Sequence, residues 1–265
     1  MMVRTMLLSE VALNVEKLIR RIGDSAMNDV TPIEIDTKKS RSDLVTSVDR
    51  ELEENLIVGL KELVPEGKVL SEETCSQTML EEFQWTWVID PLDGTVNFVH
   101  DNQRYCISVA LCYGEEPYLS WIYDLSNRVM YKAERGKGAY ADDERIFCSN
   151  RARLEESLIG FGFSDGVKNH QKVTLHKLEF LLSHCRSVRI SGSSCLDFAL
   201  VATGRLDGFW HYDLEPWDIM AGRLLVSEAG GGISELNSSS MPIKPVCVVA
   251  GNSYIHKKLQ NTLQL

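Results

Sequence analysis

The chain has 265 residues, 44% of them hydrophobic and 25% charged, with 38 acidic against 28 basic side chains and a net charge of −10. This is enough apolar material for one large core, and no internal repeat points to a solenoid. The acidic balance argues against a nucleic-acid partner, whose phosphate backbone needs a clustered basic surface. No apolar run is long enough to span a membrane, and the start carries no cleavage pattern of a signal peptide. The seven cysteines, Cys75, Cys106, Cys112, Cys148, Cys185, Cys195 and Cys247, are odd in number and form no C-x-x-C. They read as buried free thiols of a cytoplasmic protein.

Val11, Val15, Leu18, Ile19, Ile22 and Ala26 recur at helical spacing and predict an amphipathic helix over residues 9–29. The polar stretch from Thr37 to Ser42 reads as a loop. Ser47 is the expected N-cap of a second helix carrying Leu52, Leu56, Leu60 and Leu63, with Asp49 in its first turn. A short strand is expected over 69–71, ending at Glu72-Glu73, and a buried strand over 86–89, stopping at Asp90-Pro91. From Tyr105 to Tyr140, short strands separated by turn signals predict an antiparallel meander. Beyond residue 150, strands near 157–162, 187–190, 207–211 and 246–250 alternate with helices near 168–185, 194–203, 217–229 and 253–263. The chain divides on this reading into an α+β lobe, 1–150, and an α/β lobe, 151–265, in one packed unit.

The strongest local signal is Asp90-Pro91-Leu92-Asp93-Gly94-Thr95. A buried strand delivers two carboxylates, separated by two residues, at its carboxyl end. Pro91 withholds a backbone donor, and Gly94 permits a tight turn. Thr95 opens a turn whose amides can face an anion. Carboxylates beside anion-binding amides suit a magnesium ion shared with a phosphate. The same residues also make an ordinary turn. Taken singly, Glu72-Glu73 reads as a solvated acidic pair, and Asp218 as a first-turn carboxylate favoured by the helix dipole.

Taken together, Asp43–Asp49, Ser71-Glu72-Glu73, Asp90–Phe98, Gly192-Ser193-Ser194, Trp217–Gly222 and Glu228–Gly231 resemble the inositol monophosphatase family over nearly the whole chain. The resemblance implies a layered αβαβα sandwich, an α+β fold shared with fructose-1,6-bisphosphatase, usually dimeric. It implies a lithium-sensitive phosphatase using two or three Mg2+ ions per active site. The implied metal ligands are Glu72, Asp90, the Leu92 carbonyl, Asp93 and Asp218. Asp49, Thr95 and Glu72 are the implied catalytic residues, with Asp49 and Thr95 orienting or deprotonating the attacking water. Amides of Gly94 and Thr95 would hold the phosphate, and Asp93, Ser193, Ser194, His211 and Asp218 would contact the substrate. Acidic residues recruit metal, and metal recruits phosphate, which reconciles an acidic protein with an anionic substrate.

Two positions depart from the family's pattern. His211 stands where members acting on inositol phosphate carry a sugar-binding Glu, and Ser71 replaces a Gly. His211 reads equally as a substrate contact or as a partly exposed strand histidine, and Asp197 as facing either substrate or solvent. In similar proteins the loop holding Lys38-Lys39-Ser40-Arg41 approaches the metals, although such charge runs are usually solvated. The expected partner is a small phosphorylated metabolite resembling inositol 1-phosphate. The alternatives are a sugar bisphosphate, histidinol phosphate, NADP or a phosphoadenosine nucleotide. Another is a non-catalytic regulator that senses a phosphometabolite.

Overall fold

The computed structural model describes residues 4–28, 33–38, 44–74, 84–163, 167–238 and 246–264. Asp43, Cys75 and Lys39-Ser40-Arg41-Ser42 lie outside them. The first predicted helix runs over Arg4–Asn28 (α1) and the second over Ser47–Leu63 (α2). Between them, Ile35–Thr37 (β1) pairs antiparallel with Leu44–Thr46 (β2), a small sheet that the polar sequence did not suggest. The N-cap of α2 is Thr46, one residue before the expected Ser47. Only Thr46 stands three residues ahead of Asp49, so only it can exchange side-chain and backbone hydrogen bonds with that carboxylate in a capping box.

A seven-stranded sheet follows, formed in spatial and chain order by Lys68–Ser71 (β3), Trp85–Asp93 (β4), Cys106–Tyr113 (β5), Glu116–Asp124 (β6), Val129–Glu134 (β7), Gly138–Ala141 (β8) and Glu144–Ile146 (β9). The β3–β4 pair is parallel and the remaining pairs are antiparallel. The predicted meander is therefore β5 to β8, extended by β9. The short helix Thr95–Val99 (α3) leaves the end of β4. The second sheet takes the order β11-β10-β12-β14-β13, from Ser187–Arg189 (β11), Leu158–Phe163 (β10), Gly208–Leu214 (β12), Val246–Asn252 (β14) and Gly231–Glu235 (β13). Its helices are Val167–His184 (α4), Ser194–Ala202 (α5), Pro216–Glu228 (α6) and Ile255–Leu263 (α7). Strand β13 has no counterpart in the sequence reading, because Gly231-Gly232 conceals its strand pattern.

Three apolar cores stack these elements into five layers. Val15, Ile19 and Ile22 of α1 and Leu52, Leu56 and Leu60 of α2 pack on Trp87, Ile89, Ile107 and Trp121 of the first sheet. The opposite face of that sheet, with Val88, Ala110 and Ile122, packs on α5 and α6, which in turn cover Phe209, Val248 and Ala250 of the second sheet. The outer face of the second sheet meets α4 and α7 through Phe161, Trp210, Leu181, Ile255 and Leu259. The order is thus α, β, α, β, α. Strand β5 is buried on both faces, which is why Cys106–Cys112 is a nearly unbroken apolar run. Helix α5 is wedged between the two sheets, and eight of its nine residues are buried. That position explains an apolar pattern with no polar stripe. The six described cysteines are free thiols, and no helix among the described residues is long and apolar enough to cross a membrane.

Candidate active site

Strand β4 does not stop at Asp90 as expected but continues to Asp93. Asp90 pairs with Ser108 and Asp93 with Cys106, so Pro91 and Leu92 stand opposite Ile107 alone. This is a β-bulge. Residues three apart on a regular strand face opposite sides, and the extra residue restores the parity. Asp90 and Asp93 therefore share the face toward α5 and α6, while Leu92 enters the core beneath α1 and α2. Pro91 tolerates the break because it has no N–H to lose.

Two helix starts complete the cluster. Asp218 sits at the third position of α6, where the Glu215 N–H donates to its Oδ2 at 2.8 Å. Carboxylate oxygens of Asp90, Asp93 and Asp218 lie within 4.8 Å of one another. Asp49 has the same position in α2: the Thr46 N–H donates to its Oδ2 at 2.7 Å. Its Oδ1 accepts from the Thr95 hydroxyl at 3.0 Å. The Thr95 Oγ1 is also 2.9 Å from the Leu92 carbonyl oxygen. With one proton, that hydroxyl serves a single acceptor at a time.

Each carboxylate in the floor is deeply placed and electrostatically burdened. Burial first, then the charges of Glu72 and Asp93, pushes Asp90 well above the usual range. Burial, with Asp93 and Glu72 next, does the same to Asp218. Asp93 is raised by burial, although its hydrogen bonds oppose the rise. It accepts from the Ser193 hydroxyl, from the Cys195 N–H at 2.9 Å and from the Ser194 hydroxyl at 3.4 Å. Asp93 is thereby seated on the positive end of α5. Asp49 is raised by burial as well. Three crowded carboxylate oxygens with a shared preference for losing charge suit a hard divalent cation, which takes oxygen ligands at about 2.0–2.1 Å for magnesium. The donor set therefore fits the metal implied by the sequence.

Glu72 lines the same cleft but lies outside that triad. Its N–H donates to the Ile89 carbonyl at 3.2 Å, continuing the β3–β4 pairing. Its Oε1 accepts from Lys38 Nζ at 2.8 Å, and Lys38 also pairs with Glu73. Burial raises Glu73 to about 7 against the pull of that ammonium. The acidic pair is thus half-buried and paired rather than simply solvated.

Gly94 is the N-cap of α3 with φ +89, and a Cβ there would come 2.6 Å from the Arg104 carbonyl oxygen. Only glycine meets both constraints. Gly94 and Thr95, Ser193 and Ser194, and His211 all line one cleft of about 370 Å3 with the acidic floor. The structure thus gathers the predicted residues, with Asp49 behind Thr95. The two serines point their hydroxyls at Asp93, so they act on that carboxylate whatever else they touch.

For two residues the structure removes the exposed alternative that the sequence left open. His211 is only 9% exposed, not a partly exposed histidine, and Asp197 is 2% exposed and faces no solvent. The sequence reading missed Asp213, which also lines the cleft, and the Cys106 thiol, 3.7 Å from Asp93 and pushed by burial up to about 12. Asp213 is one of four non-glycine residues with positive φ among the described residues, at +51. No local sequence signal marks such a residue, since Asp visits this region only occasionally.

The sequence model described as the inositol monophosphatase family matches residues 7–264. An inositol-1-monophosphatase of Mesorhizobium japonicum is 36% identical over 221 residues, covering 83% of either chain. A protein of Pseudomonas aeruginosa named Nus factor SuhB is 35% identical over 234 residues, covering 86% of this chain and 85% of its own. Among solved structures, the extragenic suppressor protein suhB of Bartonella henselae superposes with a TM-score of 0.86 at 32% identity, covering 95% of this chain and 98% of its own. An IMPase/NADP phosphatase complexed with Mg2+ and phosphate gives a TM-score of 0.86 at 28% identity, with 97% and 96% covered. The five-layer fold, the acidic cleft and a match spanning almost the whole sequence converge: this chain belongs to the inositol monophosphatase family.

Proposed function

We propose that the chain is a magnesium-dependent phosphatase of small phosphate monoesters, hydrolysing them with water rather than through a covalent intermediate. The observation that carries this reading is the set of carboxylate oxygens of Asp90, Asp93 and Asp218 within 4.8 Å, at the foot of a cleft that Gly94 and Thr95 also line. Asp90, Asp93, Asp218, Glu72 and the Leu92 carbonyl would hold two or three Mg2+ ions. When bound, magnesium neutralises the phosphate and makes a coordinated water more acidic. The Gly94 and Thr95 amides orient the phosphate at the start of α3. Thr95 Oγ1, donating to Asp49, presents a lone pair to the attacking water. Asp49 then receives the proton through the hydroxyl, and the capping hydrogen bonds from Thr46 hold it in place for that role. Glu72, which lines the same cleft, helps to align that water. Ser193 and Ser194 fix Asp93, and His211 meets the leaving group.

The N-terminal lobe, 1–150, supplies most of these groups and the lobe 151–265 supplies Asp218 and the rim. We extend the reading to a cytoplasmic homodimer, inhibited by lithium, as the family resemblance implies. The test is Asp90→Asn: phosphate release with saturating magnesium falls at least about a thousandfold in a folded variant. Near-normal turnover overturns the mechanism. A second reading, a phosphometabolite-binding protein without turnover, is favoured by the Nus-factor name of the Pseudomonas relative. Tight phosphoester binding with magnesium and no phosphate release would establish it.

A further inference from the structure

Helix α2 does more than carry Asp49. One turn further on stands Glu53, only 2% exposed. Residues four apart lie on one side of a helix, about 6 Å apart along its axis. The neighbouring Leu52, Leu56 and Leu60 pack on the first sheet and fix the helix as a rigid element. A buried carboxylate carries a desolvation cost, which is offset here by hydrogen bonds to a single segment. Its Oε1 accepts from the Glu73 N–H at 3.1 Å, the Thr74 N–H at 3.1 Å and the Thr74 hydroxyl at 3.3 Å.

That segment is the turn that follows Glu72. Strand β3 pairs with β4 as far as Ser71 and Ile89, and the Glu72 N–H still reaches the Ile89 carbonyl at 3.2 Å. There the strand pairing ends, and the next two amides turn to Glu53 instead. A carboxylate accepts backbone N–H groups more strongly than a carbonyl does. Lys38 also touches Glu72 and Glu73, but it holds their side-chain oxygens from the end of a flexible four-carbon stem. It does not hold the backbone from which Glu72 projects. Glu53 does, from a rigid helix.

The same helix side also reaches Thr95, whose hydroxyl donates to Asp49 Oδ1 at 3.0 Å. One turn apart, α2 thus carries the carboxylate that places Thr95 and the carboxylate that places the Glu72 turn. We infer that Glu53 is a positioning residue for the metal site, and that α2 is the spacer that sets Glu72 relative to Thr95. Glu53 acts through the Glu73 and Thr74 backbone, not by contact with the ion or the substrate. This inference rests on the phosphatase reading, in which Glu72 is a magnesium ligand.

The test is calorimetric titration of magnesium into the metal-free protein, with the unfolding temperature and phosphate release from para-nitrophenyl phosphate measured alongside. Glu53→Asp keeps the charge but shortens the reach by one methylene. Glu53→Gln keeps the reach and an acceptor oxygen but loses the charge. Leu60→Val, on the same helix, removes core packing alone. Glu53→Asp should weaken magnesium binding about tenfold, the scale of a lost partner behind a metal ligand, and raise the magnesium needed for half-maximal turnover equally. Glu53→Gln should stay within about threefold of the unaltered protein, since an acceptor still meets both amides. Leu60→Val should lower the unfolding temperature without moving the affinity. Unchanged affinity in Glu53→Asp, an equal loss in Glu53→Gln, or an equal loss in Leu60→Val each overturns the inference while leaving the phosphatase reading intact. If the unaltered protein binds magnesium but releases no phosphate, the phosphatase reading falls, and the calorimetric order of the variants still decides for or against Glu53. An unaltered protein that binds no magnesium overturns both.

Discussion

Two bulges, one in each sheet, frame the cleft and do different work. The bulge in β4 places Pro91 and Leu92 opposite one residue and turns Asp90 and Asp93 to the same face. The bulge in β12 places Tyr212 and Asp213 opposite one residue, beside the cleft. The first belongs to a floor of crowded carboxylates that asks for metal. The second belongs to the rim, where Asp213 lines the same cleft at φ +51. The contrast teaches that one cleft is assembled from both sheets, the first bulge setting which side chains share a face and the second setting one backbone conformation.

The most drastic way to break this division is to delete Leu92. The deletion leaves Asp90 and Asp93 two apart on one face of a regular strand, but it removes the Leu92 carbonyl beside Thr95 and the side chain buried beneath α1 and α2. Phosphate release should fall at least about a thousandfold, as for loss of a metal ligand, in a protein whose circular dichroism remains that of a folded chain. Thr95→Ala is next. It removes the hydroxyl between the water and Asp49 while keeping the metal ligands, and should lower kcat about a hundredfold with little change in KM. An equal loss through KM alone would assign Thr95 to binding.

The electrostatic contrast appears in stability. Asp197 is raised by burial from 3.8 to about 7. A carboxyl raised in the folded state contributes fully below its unfolded value and loses that contribution as pH rises through the folded one. Metal-free protein should therefore lose Tm between about pH 4 and 7, and Asp197→Asn should lose less over that range. Magnesium added at each pH should raise Tm more at pH 8 than at pH 5, because Asp90 and Asp218 are also raised and only their ionised forms bind the ion. A magnesium effect independent of pH would contradict the carboxylate floor. The smallest effect is at the rim: Asp213→Val places a β-branched residue at φ +51 and should cost about 1–2 kcal/mol in denaturant unfolding. Asp213→Asn should cost much less.

The floor was largely legible in the sequence because its residues carry local signals. Asp90-Pro91-Leu92-Asp93-Gly94 reads as a strand end, and Pro216-Trp217-Asp218 as a helix start. Asp218 is the first-turn carboxylate that the sequence suggests, with one oxygen capping α6, and its carboxylate also joins the acidic cluster. The same holds for Asp49, which caps α2 with one oxygen and holds Thr95 with the other. The end of β4 was misjudged because a bulge leaves no trace in composition. The rim was hardly legible at all. Nothing local to His211 distinguishes a buried histidine from an exposed one, and nothing local to Asp213 announces a left-handed backbone.

By itself the sequence determined the α+β character, the main helices and strands, and the residue types of the acidic floor. Periodicity and capping are local, acting over a few residues. Only the tertiary structure decided that Asp90 and Asp93 share a face, that α5 seats Asp93, and that His211, Asp197 and Asp213 line the same cleft. Those outcomes depend on strand register and on packing between the sheets, which bring together residues more than a hundred positions apart.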